Sequence, residues 1–182
     1  KRAALIDPGD EAELLLAAAG RLGLTLEVVL LTHGHIDHVG AVADVLAQTG
    51  CKVCAHRDEA EMLRTLELQA RLFGLPAPEE VKVDVWLSEG DEVAFGNLAL
   101  RVLHTPGHTR GSVCFYHDGV LFSGDTLFRE SVGRTDLPGG SDRRLLASIR
   151  DKLLVLPDEV RVYPGHGEPT TIGDERRLNP FL

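Results

Sequence analysis

The stretch Thr32-His33-Gly34-His35-Ile36-Asp37-His38 carries three of the eight histidines of the chain within six residues. It follows the apolar segment Glu27–Leu31, which predicts a short strand, and it runs into Asp37–Gln48, whose pattern predicts a helix. Histidines this crowded repel one another when protonated, so they need neutrality or a metal ion to coexist. The stretch therefore predicts a metal-binding loop between a strand and a helix.

The spacing within this stretch predicts how the ligands divide between ions. His33 and His35 are two residues apart, so in extended backbone they project to the same side and can share one ion. Asp37 and His38 fall at the start of the predicted helix, where they can turn toward a second ion, and the helix N-terminus favours the ionised Asp37. Gly34 is expected to remove a side chain where the backbone passes close to the metals.

Three downstream loops repeat one pattern: an apolar strand, then a turn or small residue, then a histidine or aspartate. They are Thr105-Pro106-Gly107-His108, Ser123-Gly124-Asp125 and Tyr163-Pro164-Gly165-His166. A ligand set of imidazole and carboxylate without thiolate suits Zn(II), and also iron or manganese.

Strands alternate with helices in the first half of the chain, and a strand meander followed by a helix and a strand makes up the second half. The predicted strands are Arg2–Ile6, Glu27–Leu31, Lys52–Ala55, Lys82–Leu87, Leu98–His104, Ser112–His117, Val120–Ser123 and Val160–Tyr163. The predicted helices are Glu11–Arg21, capped by Asp10, then Asp37–Gln48, Arg57–Phe73 and Arg143–Leu154, capped by Ser141 or Asp142. This order predicts one α/β domain over residues 1–182, with sheets covered by helices. Because Arg2–Ile6 resembles the middle of a strand system, we expect strands upstream of it to be missing.

The composition of the chain limits the classes of partner and the cellular location that we expect. The formal net charge of −9 disfavours a nucleic-acid partner, and no apolar run is long enough to span a bilayer. Three cysteines do not suggest a disulfide framework, so a reducing, cytoplasmic location is expected. Cys51 and Cys54 form a C-x-x-C pattern, but they fall around one predicted strand and would point to opposite faces of it.

The motifs H-x-H-x-D-H, G-H, G-D and P-G-H, in that order, resemble the metallo-β-lactamase superfamily over nearly the whole chain. Within it, the chain looks most like the compact glyoxalase II-type hydrolases. The segments that carry this closer likeness are Leu5–Gly9, Phe122–Phe128, Val132–Asp136 and Asn179–Leu182.

The resemblance implies an αββα sandwich with a two-metal site at one edge, between the sheets. It implies that His33, His35 and His108 hold one ion, that Asp37, His38 and His166 hold the other, and that Asp125 bridges both. Two divalent ions, most simply zinc, would ionise a shared water as the nucleophile, and Asp37 would orient it. Asp7 can accept a hydrogen bond from a ligand imidazole, while Arg134 and Asp136 could pair with each other or brace a ligand loop.

Three functions stay open at this point, all with a small-molecule substrate. The first is thioester hydrolysis, as in hydroxyacylglutathione hydrolases. The longer glyoxalase II enzymes append a helical domain that helps bind glutathione, whereas this sequence ends at Leu182, so another acyl thioester or ester is also open. The second is the chemistry of persulfide dioxygenases, which resemble this chain but use one iron. The third is lactone hydrolysis. A true β-lactamase is disfavoured, because those enzymes generally lack an aspartate at the position of Asp125.

Overall fold

The computed structural model describes residues 1–182, which divide into two compact units. The first unit comprises Lys1–Leu87 and Ala94–Ala99, and the second comprises Ser88–Val93 and Leu100–Leu182. None of the helices combines the length and the apolar character that spanning a bilayer requires.

The first unit is built on a parallel sheet. Its strands are β1 (Arg2–Ile6), β2 (Thr25–Leu30), β3 (Lys52–His56) and β4 (Val85–Leu87). Its helices are α1 (Ala12–Arg21), α2 (Ile36–Val39), α3 (Val42–Thr49), a 3-10 turn at Arg57–Glu59, α4 (Ala60–Arg64) and α5 (Leu66–Phe73).

The four strands lie in the order β1-β2-β3-β4, and every neighbouring pair is parallel. Each connection passes through helices, as parallel pairing requires. Val29 and Val53, on neighbouring strands, pack with Val42 and Val45 of α3 in one buried apolar cluster. Because the strands are parallel, their carboxyl ends share one sheet edge, which is where ligands bind in α/β proteins.

The predicted helix Asp37–Gln48 is in fact two helices, α2 and α3. The amide of Ala41 donates to the carbonyl of Pro8 at 3.0 Å, outside the helical ladder. A side chain at Gly40 would come within 2.5 Å of the carbonyl oxygen of Gly9. The turn after β1 therefore packs against the helix at this point and interrupts it. The predicted helix Arg57–Phe73 is likewise divided, between α4 and α5, at Thr65, whose hydroxyl donates to the carbonyl of Met62 at 2.7 Å.

The predicted cap of α1 is wrong. Glu11, in a left-handed conformation at φ 56°, occupies the N-cap position, and its side chain caps nothing. The Oδ1 atom of Asp10 instead accepts from the adjacent amide of Glu11 at 2.7 Å. The carboxylate of Asp10 is thus engaged one residue away rather than on the first turn of the helix.

The second unit is built around a mixed sheet. Two strands belong to it only in part, since Ala94–Ala99 is grouped with the first unit: β5 (Glu92–Phe95) and β6 (Leu98–His104). The other strands are β7 (Val113–His117), β8 (Val120–Gly124), β9 (Leu127–Phe128), β10 (Ser131–Val132), β11 (Arg161–Pro164) and β12 (Thr170–Thr171). The helices are α6 (Asp142–Ser148), which continues as a π-helical turn at Ile149–Leu153, and α7 (Ile172–Leu178).

Six strands lie in the order β12-β11-β8-β7-β6-β5, and β9 and β10 form a separate small hairpin. Strand β7 is antiparallel to both β6 and β8, and β8 is parallel to β11, so β6, β8 and β11 all end at the same edge. Leu145 and Ile149 pack on the face of this sheet that carries Leu121 and Val162. The predicted α/β fold class is confirmed in both units.

The Asp118-Gly119 hairpin has φ values of 35° and 81°, in the left-handed region that an Asp-Gly turn adopts readily. Two local predictions are confirmed. Ser141 caps α6 by accepting from the amide of Arg144. Cys54 lies in β3 and is buried, which agrees with a strand rather than a C-x-x-C redox site.

Candidate metal centre

The histidine-rich loop leaves the carboxyl end of β2 and enters α2. His33 and His38 are buried, His35 is half-buried, and the carboxylate of Asp37 is 53% exposed. The ring centroid of His33 lies 4.8 Å from that of His35 and 4.1 Å from that of His38. The Nε2 atom of His38 is 3.7 Å from Oδ2 of Asp37. Of these four side chains, that of Asp37 is the most exposed.

Asp7 lies beneath this loop at the carboxyl end of β1. Its Oδ1 atom accepts from the amide of Thr32 at 2.7 Å, and its Oδ2 atom accepts from the hydroxyl of Thr32 at 2.5 Å. Oδ2 also lies 3.0 Å from Nδ1 of His38. An ionised carboxylate can only accept, so Nδ1 of His38 donates, and in the neutral imidazole the lone pair is then on Nε2. Ligand atoms of Asp7, His33 and His38 all lie within 4.8 Å of one another.

The loop backbone is held from the helices that follow β3. The amide of Gly34 donates to Oε2 of the buried Glu59 at 2.7 Å. Gln69 accepts from the amide of Ile36 at 2.9 Å and donates to the carbonyl of Gly34 at 3.2 Å. Sequence reasoning missed both residues, because neither belongs to a recognisable motif.

The structure shows a packing reason for glycine at position 34, beside the expected approach to the metals. A Cβ atom at this position would lie 3.0 Å from Oε2 of Glu59 and 3.1 Å from Cβ of Met62. The close approach that favours glycine is therefore to α4 and the turn before it.

The second unit brings His108, Asp125 and His166 together at one sheet edge. The Oδ2 atom of Asp125 lies 3.6 Å from Nε2 of His108 and 3.8 Å from Nε2 of His166. Asp125 follows β8 and His166 follows the parallel strand β11, and the amide of Gly165 donates to the carbonyl of Gly124 at 2.9 Å. The strand-end pattern in the sequence thus corresponds to a real cluster of side chains.

His108 is buried and oriented by the backbone. Its Nδ1 atom lies 2.8 Å from the carbonyl oxygen of Arg134, so Nδ1 donates and Nε2 faces Asp125. Gly133 has no room for a side chain, since a Cβ atom there would be 1.9 Å from the carbonyl oxygen of Asp125.

Arg134 and Asp136 pair with each other. Nε and Nη2 of Arg134 each donate to Asp136 at 2.7 Å, and both side chains are exposed. The hydrogen bond from Arg134 lowers the pKa of the Asp136 carboxyl from 3.8 to about 2. The contact with a predicted ligand comes from the carbonyl of Arg134 rather than from its side chain.

Two further histidines, His56 and His104, make local contacts. His56 caps the 3-10 turn by accepting from the amide of Asp58 at 3.2 Å. Nε2 of His104 lies 3.0 Å from the carbonyl oxygen of Arg110.

Comparison with known proteins places these features in a family. The profile of the Metallo-beta-lactamase superfamily matches residues 1–166. A Haemophilus influenzae protein named hydroxyacylglutathione hydrolase GloC is 44% identical over 186 residues, covering 100% of this chain and 88% of that protein.

Two solved structures are similar over nearly the whole chain. BLEG-1, described as a B3 metallo-beta-lactamase, has a TM-score of 0.93 at 44% identity, covering 100% of this chain and 89% of that one. TTHA1623, solved in a di-iron-bound form, has a TM-score of 0.89 at 48% identity, covering 97% and 88%. With a histidine-rich loop of this kind at the end of β2 and a family match that extends to His166, the chain belongs to the metallo-beta-lactamase superfamily.

Proposed function

We propose that this protein is a binuclear metal-dependent hydrolase that cleaves thioesters. The observation that carries the proposal is the orientation of three buried imidazoles. The Nδ1 atoms of His33, His38 and His108 each lie within 3.0 Å of an oxygen atom. A histidine whose Nδ1 is held in this way offers Nε2 to a metal, which is how metal-binding histidines are usually arranged.

In this proposal, residues 1–182 act as one domain, and ligands from both units hold the two ions. His33, His35 and His108 would hold the first ion; Asp37, His38 and His166 would hold the second; Asp125 would bridge them. The donor set of nitrogen and carboxylate oxygen fits zinc, and it fits iron equally well. The similarity to a protein solved with two irons supports testing both metals.

The ions, when bound, would lower the pKa of a shared water toward neutrality and polarise the substrate carbonyl. Asp37 would orient the attacking water, because its carboxylate is the most exposed group of the loop. Asp37 and Asp125 bring two negative charges against four positive charges from two divalent ions. The centre would therefore stay positive and stabilise the developing oxyanion.

The thioester assignment is supported by the 44% identity to a hydroxyacylglutathione hydrolase that this chain covers almost completely. We therefore propose a hydroxyacyl thioester of a small thiol as the substrate class. A cytoplasmic location agrees with the three cysteines and with a thiol-derived substrate of this kind.

A second candidate is β-lactam hydrolysis. The similarity to a protein described as a B3 metallo-beta-lactamase favours it, although the presence of Asp125 argues in the other direction. Persulfide oxidation with a single iron is the alternative from a different class of reaction. It differs from hydrolysis in metal content and in its consumption of oxygen.

The deciding experiment joins elemental analysis to a substrate screen. The purified protein is assayed for metal content and then offered a hydroxyacylglutathione, a lactone, a β-lactam and, with an oxygen electrode, a persulfide. We expect about two metal ions per chain and hydrolysis of the thioester as the fastest reaction. One iron per chain with oxygen uptake would replace this proposal with the dioxygenase.

Three variants test the assignment of residues. Asp125→Asn and His38→Ala should abolish turnover while the circular dichroism spectrum is retained. His117→Ala is the matched control, because His117 ends β7 at a hairpin and belongs to neither cluster. Full activity of either site variant would refute the two-metal mechanism.

A further inference from the structure

Thr32 lies between His33, a predicted ligand of the first metal, and the carboxylate of Asp7. The same carboxylate contacts His38, a predicted ligand of the second metal. Its hydroxyl oxygen lies 2.5 Å from Oδ2 of Asp7 and 3.0 Å from Nδ1 of His33. The same Oδ2 atom lies 3.0 Å from Nδ1 of His38. Thr32 itself is only 2% exposed, so water does not compete freely for these contacts.

The direction of each hydrogen bond follows from a count of protons. The hydroxyl of Thr32 has one proton, and the carboxylate of Asp7 has none to offer, so the hydroxyl donates to Asp7. The contact with His33 must then run the other way, from Nδ1–H to the hydroxyl oxygen. His33 is thereby held in the tautomer whose Nε2 carries the lone pair, the form that binds a metal.

We infer that Thr32 is a positioning residue for the metal held by His33, and that Asp7 links the two metal positions by acting on His33 through Thr32 and on His38 directly. The inference rests on the proposed function, since it assumes that these histidines bind metal. It adds a residue, and a connection between the two positions, that the ligand set alone does not contain.

The effect of the Thr32 hydroxyl on His33 can be tested without removing the backbone contact that holds Thr32 in place. The amide of Thr32 donates to Oδ1 of Asp7 at 2.7 Å whatever the side chain is. A Thr32→Val substitution keeps that bond, the branched shape and the contact between Asp7 and His38, and removes only the hydroxyl. The substitution should therefore affect His33 alone, whereas Asp7→Asn should affect both histidines.

The test measures zinc affinity by competition with a chromophoric chelator, in two backgrounds that each retain one metal position. His38→Ala leaves the position of His33, and His35→Ala leaves the position of His38. We expect Thr32→Val to weaken zinc binding by about 10- to 100-fold in the His38→Ala background, the usual effect of losing such a partner. In the His35→Ala background, Thr32→Val should leave the zinc affinity unchanged. Thr32→Ser should restore zinc binding in the His38→Ala background.

A matched control and a second readout guard against a general loss of structure. Thr49→Val removes another threonine hydroxyl of the first unit, one that donates to the carbonyl of Val45 at 2.7 Å. This variant should leave the zinc affinity unchanged in both backgrounds. Nitrogen-15 spectra of the zinc-free protein should show His33 protonated on Nδ1, with that preference lost in Thr32→Val.

Equal weakening in both backgrounds, or none in the His38→Ala background, would overturn the inference and leave the proposed function intact. A wild-type protein that binds no zinc, iron or manganese would overturn the proposed function as well. An unchanged His33 tautomer in Thr32→Val would count against the inference independently of any metal.

Discussion

Glu59 places its Oε2 atom 2.7 Å from the amide nitrogen of Gly34, which lies 25 positions earlier in the chain. The contact joins the turn before α4 to the middle of the histidine-rich loop, and Glu59 is 1% exposed. The contact satisfies the buried amide of Gly34 and ties the histidine-rich loop to the turn before α4.

Glu59→Ala should destabilise the fold, because it leaves the buried amide of Gly34 without its acceptor. The expected cost is about 1–3 kcal/mol in the free energy of unfolding, measured by urea titration. Glu59→Gln keeps an acceptor and should cost less. The control is Glu67→Ala, which removes an exposed ion pair with Arg71 and should change stability by about 0.5 kcal/mol at most. Equal losses for Glu59→Ala and Glu67→Ala would contradict this role.

Gly9→Ala should disrupt the junction between the turn after β1 and α2. An added Cβ atom would lie 1.7 Å from the carbonyl oxygen of Asp37, so backbone must move on one side or the other. We expect a large fall in melting temperature together with weaker metal binding. Gly20→Ala is the control: Gly20 lies within α1 with nothing within 4 Å of the added atom. It should stabilise the protein by about 0.5–1 kcal/mol. A Gly9→Ala protein as stable as wild type would show that the turn is not packed as described.

Asp136 should titrate well below an ordinary aspartate. Because the hydrogen bond from Arg134 lowers its pKa from 3.8 to about 2, the pair favours the folded state above pH 4 and loses that effect as the pH falls toward 2. Both side chains are exposed, so the effect on stability is small and screened by salt. Carboxyl NMR titration should show the low midpoint, and Arg134→Gln should raise it. A wild-type midpoint near 4 would mean that the pair does not persist in solution.

Cys54 should resist alkylation in the folded protein. Burial, with a further contribution from the charge of Asp84, raises the pKa of its thiol to about 11. At pH 8 only about one thiol in a thousand would be the reactive thiolate. Iodoacetamide labelling followed by peptide mass mapping should modify Cys54 only after urea is added. Modification of Cys54 in the native protein at the rate of an unfolded control would contradict the buried position.

The sequence predicts the elements that carry ligands well, because those elements are decided locally. Apolar runs define β2, β6, β8 and β11, and a small residue or turn at each end leaves little choice of path. His108, Asp125 and His166 are contributed by three such strand ends, and β6, β8 and β11 end at one edge of the same sheet. Their meeting in the second unit follows from the common direction of these strands, and the carbonyl of Arg134 then orients the imidazole of His108.

Features decided by distant contacts could not be predicted in this way. The division between α2 and α3 depends on the carbonyl of Pro8, more than 30 positions from Ala41. Glu59 and Gln69 lie in a stretch that looks like an ordinary amphipathic helix, and only the fold shows that they bind the loop backbone. The left-handed conformation of Glu11, which displaces the expected cap at Asp10, likewise has no signal in the residue types.

The backbone and the side chain of Arg134 make two different contacts. The carbonyl oxygen orients His108, while the guanidinium lies at the surface with Asp136. A substitution at this position would therefore change the exposed side chain and its pair with Asp136, while the carbonyl oxygen that orients His108 belongs to the backbone and is retained. The exposed residue of this loop can thus be exchanged without removing the contact that holds the imidazole.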